Sequence, residues 1–129
     1  MRILLDTQCF LWMNANPERL SRRARRLLTD VDNDLLLSAA SAWEIAIKAA
    51  LGKLRLPEPV PEYVTSRMSN GAVQGLAIEH AHALRVATLP RHHTDPFDHL
   101  LIAQAEIEDM AILTSDRHFS RYDVRVLWA

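Results

Sequence analysis

The sequence contains one cysteine, Cys9, in 129 residues. An internal disulfide is therefore excluded, no paired thiols exist for a zinc site, and a reducing, cytoplasmic location is the expectation. No apolar run approaches the ~18 residues needed to span a bilayer. Asp6 interrupts the opening run RILLDT where a secretory leader would need an unbroken apolar core, so the mature chain is expected to begin at Met1. Excess charge is also missing: 15 Lys and Arg against 16 Asp and Glu give a formal net charge of −1. Any contact with a polyanion must then come from a local patch. Repeats, low-complexity tracts and linkers are absent. The length suits one domain, 1–129, able to bury a core without disulfides or a structural metal.

What is present is an alternation of short apolar runs and helical patterns. Residues 2–5 are β-competent, and a helix is expected over 8–14, ending near Asn16 and Pro17. Ser21 can cap a helix over 21–30 with Ala24, Leu27 and Leu28 on its apolar stripe. Leu35, Leu36 and Leu37 form a strand-length run, followed by an apolar helix over 41–51 with Gly52 at its C-terminal cap. The three prolines in 56–61 make a loop, and Pro61 opens a helix to 69. A short strand is expected over 74–78 and a short helix over 79–87. Asp95 and Pro96 start a further helix, residues 111–114 read as a buried strand, and 124–128 as a last one. Such alternation predicts an α/β fold with a mostly parallel sheet covered on both faces. Its ligand site is expected outside the carboxyl ends of the strands.

Four carboxylates stand where apolar elements end or turn inward: Asp6 in ILLDT, Glu44 in AWEIAIK, Asp98 in DPFDHLLIAQA and Asp116 in AILTSD. Acids embedded in apolar sequence are costly unless paired, hydrogen-bonded or bound to metal. Helix capping is the alternative for three aspartates: Asp6 for the helix from Gln8, Asp95 for the helix at Pro96, and Asp116 for a turn through His118 to Arg121. Asp98 follows a residue that already caps. Glu44 lies inside an apolar helix, where the alternative is a solvent-exposed i, i+4 pair with Lys48. Converged in one pocket, the four would repel one another or bind a cation. Oxygen ligands without thiolate select Mg²⁺ or Mn²⁺, a site suited to phosphodiester hydrolysis.

Other groups offer less. His92, His93, His99 and His118 beside Asp95 lack an H-x-x-x-H pair and read as a polar loop rather than a zinc site. Arg19, Arg22, Arg23, Arg25 and Arg26 make a basic helix face that is either solvated or contacts RNA or an acidic partner. Cys9 has no base near it in sequence and reads as packing. Thr7, Thr114 and Ser115 neighbour the candidate ligands and could orient water there.

The runs LLDT, SAASAWEIAIKAALGKL from Ser38, DPFDHLLIAQA from Asp95, and LTSD resemble a PIN domain, and more narrowly the VapC-type toxin ribonucleases. The resemblance spans nearly the whole chain. It implies a three-layer α/β/α sandwich and a metal site of Asp6, Glu44, Asp98 and Asp116. It further implies Mg²⁺-dependent endoribonuclease activity, homodimers, and neutralisation by a cognate antitoxin whose tail enters the active-site groove. His99 stands where relatives commonly carry arginine. Two other readings compete with a toxin ribonuclease: a non-catalytic RNA- or protein-binding module, and phosphotransfer on an aspartate. The latter is disfavoured because DTQ lacks the second aspartate of a D-x-D pair and no lysine follows the later strands.

Overall fold

The runs at 3–5, 35–37 and 111–113 are apolar at successive positions, a pattern that demands cover on both faces of the sheet. In the computed structural model, which describes all 129 residues, five strands form one parallel sheet in the order β3-β2-β1-β4-β5. They are β1 (Arg2–Leu5), β2 (Asp34–Ser38), β3 (Val73–Leu76), β4 (Ala111–Thr114) and β5 (Val126–Trp128). The helices are α1 (Thr7–Ala15), α2 (Arg22–Thr29), α3 (Ala39–Ala50), α4 (Val60–Asn70), α5 (His80–Arg85) and α6 (Pro96–Glu108).

Side chains alternate across the sheet with a period of two. Ile3, Leu5, Leu35, Leu37 and Leu113 enter one core with Phe10, Ile45 and Tyr63, whereas Leu4, Leu36 and Ile112 enter the other with Leu101, Ile102 and Phe119. Helices α1 to α4 therefore cover one face and α6 the other, giving the α/β/α sandwich. Chain direction reverses its progress across the sheet at β1 and β4. Their carboxyl ends make the topological switch point where a ligand crevice is expected. No helix is long and apolar enough to cross a membrane.

Several boundaries differ from the sequence reading. Helix α3 starts at Ala39, with Ser38 accepting from the Ala40 amide, because Ser41 is buried and its hydroxyl is engaged elsewhere. Helix α4 begins at Val60, so Pro61 occupies its second position. The expected helix 79–87 is a six-residue α5 followed by a 3-10 turn, Val86–Thr88. His82 anchors it: Nδ1 accepts from the Glu79 amide at 2.9 Å, leaving Nε2 to donate to Glu108 at 2.9 Å. Strands β3 and β5 run Val73–Leu76 and Val126–Trp128, rather than 74–78 and 124–128.

Gly52 ends α3 with φ +72°, while its amide bonds the Ala49 carbonyl and the Lys53 amide reaches back to Lys48. This left-handed turn brings Lys53 back beside Lys48. Gly52→Ala meets no atom within 4 Å, so only the backbone strain remains. Urea unfolding should report a loss of about 1 kcal/mol; an unchanged midpoint would mean that the turn relaxes without cost.

Candidate active site

The four acids are delivered by four different elements. Asp6 follows β1, Glu44 lies in the second turn of α3, Asp98 in the first turn of α6, and Asp116 just beyond β4. All four line one cleft of about 560 Å³ at the carboxyl end of the sheet. A similar cleft, about 630 Å³, lies at the opposite end beside Met1, Asp109 and Arg125, and gathers mixed charges without a converging acidic set.

Capping does not account for Asp6. Its side chain makes no N-cap hydrogen bond to α1; instead Thr114 Oγ1 donates to Asp6 Oδ2 at 2.7 Å and accepts from the Asp116 amide at 3.0 Å. One hydroxyl thus ties the acids after β1 and β4 together. Thr7 does the same for Glu44: it lies 2.7 Å from Glu44 Oε1 and 2.9 Å from Ser41 Oγ. With a single proton, Thr7 donates to the carboxylate and accepts from the serine. Both threonines therefore hold carboxylates. Ser115 lines the cleft, exposed at its edge.

The Lys48–Glu44 pair exists, at 2.7 Å, but it is not the solvent-stripe pair considered from sequence. Glu44 is only 8% exposed and faces the cleft, while Lys48 reaches over it from a half-exposed position. That hydrogen bond to Glu44 raises the Lys48 pKa against the opposing effect of burial. Asp95 caps α6, accepting from the amides of Phe97 and Asp98, and Asp116 accepts from the His118 amide. Both caps hold, yet both residues also line the cleft.

Five acidic side chains face two lysines, Lys48 and Lys53, in this cleft. Burial pushes Asp6 up to about 6, with Glu44 and Asp116 adding to it and Thr114 opposing it. Asp98 rises to about 8 through burial first, then repulsion from Asp95, Asp6, Asp116 and Glu44. Burial also pushes Asp116 upward, but its amide and imidazole bonds from His118 outweigh that and leave it below the ordinary value. No three acidic, histidine or cysteine side chains converge tightly enough to grip one metal ion as they stand. Each carboxylate is turned to its own partner, as repulsion among them requires: Thr114, Thr7 with Lys48, His93, and His118. The donors are all oxygen, which fits a hard divalent cation and no soft one.

Sequence reasoning placed His93 in a polar loop and did not foresee its contact with Asp98. Its Nε2 lies 3.1 Å from Asp98 Oδ2 and its Nδ1 lies 2.8 Å from the Tyr122 hydroxyl, while burial and the neighbouring His99 and His118 lower its pKa. The only local signal was the spacing of five residues between His93 and Asp98, which does not reveal Tyr122. Cys9 is buried and its thiol is pushed up to about 12 by burial and by Asp6, which excludes it as a nucleophile at neutral pH. The arginines at 22, 23, 25 and 26 are exposed and form no ion pair, and Arg19 stands over the Trp12 ring at 5.6 Å.

The parallel sheet and its helix cover agree with what known proteins indicate. The chain belongs to the PIN-domain family, whose model matches residues 3–125. Within that family it stands among the VapC-type ribonucleases. Ribonuclease VapC16 of Mycobacterium tuberculosis is 53% identical over 58 residues, a match covering 45% of this chain and 41% of that relative. Ribonuclease VapC22 of the same organism is 30% identical over 115 residues, covering 89% of this chain and 87% of the relative. Among solved structures, VapBC2 of Rickettsia felis, bound to a DNA fragment from its promoter, superposes with a TM-score of 0.74 at 15% identity, covering 99% of this chain and 98% of that one. DNA-bound VapBC of Salmonella typhimurium gives 0.72 at 22% identity, with the same coverage. At those identities the solved structures speak for the fold alone.

Proposed function

We propose that the acidic cleft hydrolyses RNA phosphodiester bonds with the help of Mg²⁺ or Mn²⁺, and that the protein is the toxin of a toxin–antitoxin pair. The observation that carries this reading is the arrival of Asp6, Glu44, Asp98 and Asp116 from four elements in one cleft, where two of them resist ionisation. A divalent cation relieves that resistance, and these four residues would hold it. Bound there, such an ion would supply Lewis-acid chemistry, offsetting charge on the scissile phosphate and lowering the pKa of water.

The chain's own groups do the rest. Thr114 and Thr7 fix the orientation of Asp6 and Glu44, so the acids need not reorganise when charge arrives. Lys53, exposed at the cleft, supplies a mobile positive charge for an incoming phosphate, and Lys48 offsets the charge of Glu44. Residues 1–129 would act as one domain in the cytoplasm. The VapC kinship and the solved VapBC complexes support a cognate antitoxin as partner, and we propose a homodimer beside it.

The test is incubation of the purified protein with a single-stranded RNA pool. Cleavage should require Mg²⁺ or Mn²⁺ and stop with EDTA. RNA that is bound but left intact in both metals would replace this reading by a binding module. A phosphorylated aspartate trapped by mass spectrometry would replace it by phosphotransfer.

A further inference from the structure

We propose that His93 is a positioning residue for Asp98, and that Tyr122 holds its imidazole in the single tautomer that presents an Nε2 proton to the carboxylate. The inference rests on Asp98 being one of the metal-holding acids. Its support is a count of protons around the Tyr122 oxygen. The His92 amide, 3.3 Å away, can only donate to that oxygen. His99 Nε2 lies 2.8 Å from the His93 carbonyl, which can only accept, so His99 carries its proton there; the same nitrogen is 3.4 Å from the Tyr122 oxygen. Neither the His92 amide nor His99 Nε2, its proton committed to that carbonyl, can therefore accept from the phenol. Its own proton is left for His93 Nδ1 at 2.8 Å, and the ring proton of His93 then sits on Nε2, 3.1 Å from Asp98 Oδ2. The opposite tautomer would leave the phenol proton without an acceptor and turn a nitrogen lone pair toward the carboxylate.

The ring is fixed as well as polarised. His93 stacks on His118 with centroids 4.9 Å apart and planes at 10°, and His99 meets it edge-on at 4.9 Å and 77°. His118 in turn holds Asp116 Oδ1 at 2.8 Å. The outer partners of two cleft acids therefore lie against each other, so the spacing of Asp98 and Asp116 is set by a stacked imidazole pair. His99, in the position after the DPFD run, serves this arrangement by anchoring the His93 backbone rather than by reaching an acid itself.

Mn²⁺ affinity, measured by calorimetry on the full chain, and steady-state cleavage of one RNA oligonucleotide together test this. Groups that orient a metal's ligands contribute about 10- to 100-fold to affinity, and His93→Ala should weaken Mn²⁺ by that factor and lower kcat with little change in KM for RNA. His93→Gln, whose amide nitrogen can reach the place of Nε2, should recover metal affinity to within about threefold of wild type, whereas Tyr122→Phe should lose about three- to tenfold. Circular dichroism checks that each variant is folded; should His93→Ala fail to fold, the glutamine and phenylalanine variants carry the comparison. If wild type binds Mn²⁺ and His93→Ala or Tyr122→Phe binds it equally well, the positioning role is overturned while the metal site stands. If His93→Gln is as weak as His93→Ala, packing rather than the N–H is responsible, and the inference fails. If wild type itself binds no Mn²⁺ at millimolar concentration, the metal reading fails and takes this one with it.

Discussion

Asp98→Asn should abolish RNA cleavage while making the metal-free protein more stable, by a margin that grows from about pH 4 and levels off above about pH 8. The two effects have one cause. Asp98 is 8% exposed and lies among Asp95, Asp6, Asp116 and Glu44, and its carboxyl is held up to about 8. Above that pH the wild-type fold carries a buried negative charge at a cost that the unfolded chain avoids. Asparagine keeps the volume and still accepts from His93 Nε2–H, but carries no charge. The gain should be on the order of a few kcal/mol at pH 9, read as a rise of several degrees in Tm in the presence of EDTA. Activity should fall by more than about a hundredfold, because even groups that only orient a metal's ligands cost about 10- to 100-fold. Glu44→Gln provides the contrast: it breaks a 2.7 Å bond with Lys48 and should lose activity without gaining stability. Normal cleavage by Asp98→Asn removes Asp98 from the site. A lower Tm at pH 9 would mean that its charge is already satisfied by the protein.

The strand runs and the long helices were legible because their apolar residues are continuous or periodic over a full element. Leu35–Leu37 and the run from Ala111 could only be strands buried on two faces, and Asp95–Pro96 marks the start of α6 as clearly as local chemistry can. The segment from β3 to α5 was less clear for a physical reason. Strand β3 lies at the sheet edge with Gln74 and Gly75 exposed, so it lacks apolar alternation, and α5 owes its place to His82 bonding Glu108 on α6. The acids follow the same division. Glu44 stood out because capping could not explain an acid inside an apolar helix, which left only an exposed pair with Lys48 as its local alternative. Choosing between capping and cleft for Asp6 required Thr114, 108 residues away, and no window of sequence contains that hydrogen bond. Lys48 fell four residues after Glu44 as a helical partner should; that the pair roofs a cleft depends on α1, whose Thr7 pulls Glu44 inward.

Without metal, Tm should fall as pH rises from 5 to 9, and Mg²⁺ should reverse that slope. Asp6 and Asp98 have folded values of about 6 and about 8 against an ordinary 3.8. Groups raised in the folded state bind more protons there than in the unfolded chain, so they favour the fold fully below about pH 4 and cease to do so as pH passes about 6 and then about 8. Asp116 has the opposite sign, being lowered by His118 after burial is overcome, but its effect is confined to the acid side of its ordinary value. His93, lowered by burial, opposes this decline below its ordinary 6.5, and Cys9, raised by burial, adds to it near pH 9; the share that belongs to the cleft acids should shrink in Asp98→Asn. A divalent cation favours the ionised acids and competes with protons for them, so its stabilisation should grow with pH. At a concentration about 100 times the dissociation constant it would amount to about 2.7 kcal/mol. Thermal melts at pH 5, 7 and 9, each in EDTA and in Mg²⁺, give six values that decide the matter. A Mg²⁺ shift equal at all three pH values would place the ion away from these carboxylates. A metal-free Tm that climbs toward pH 9 would mean that Asp6 and Asp98 are ionised at little cost, and the case for a cation among them would lose its electrostatic basis.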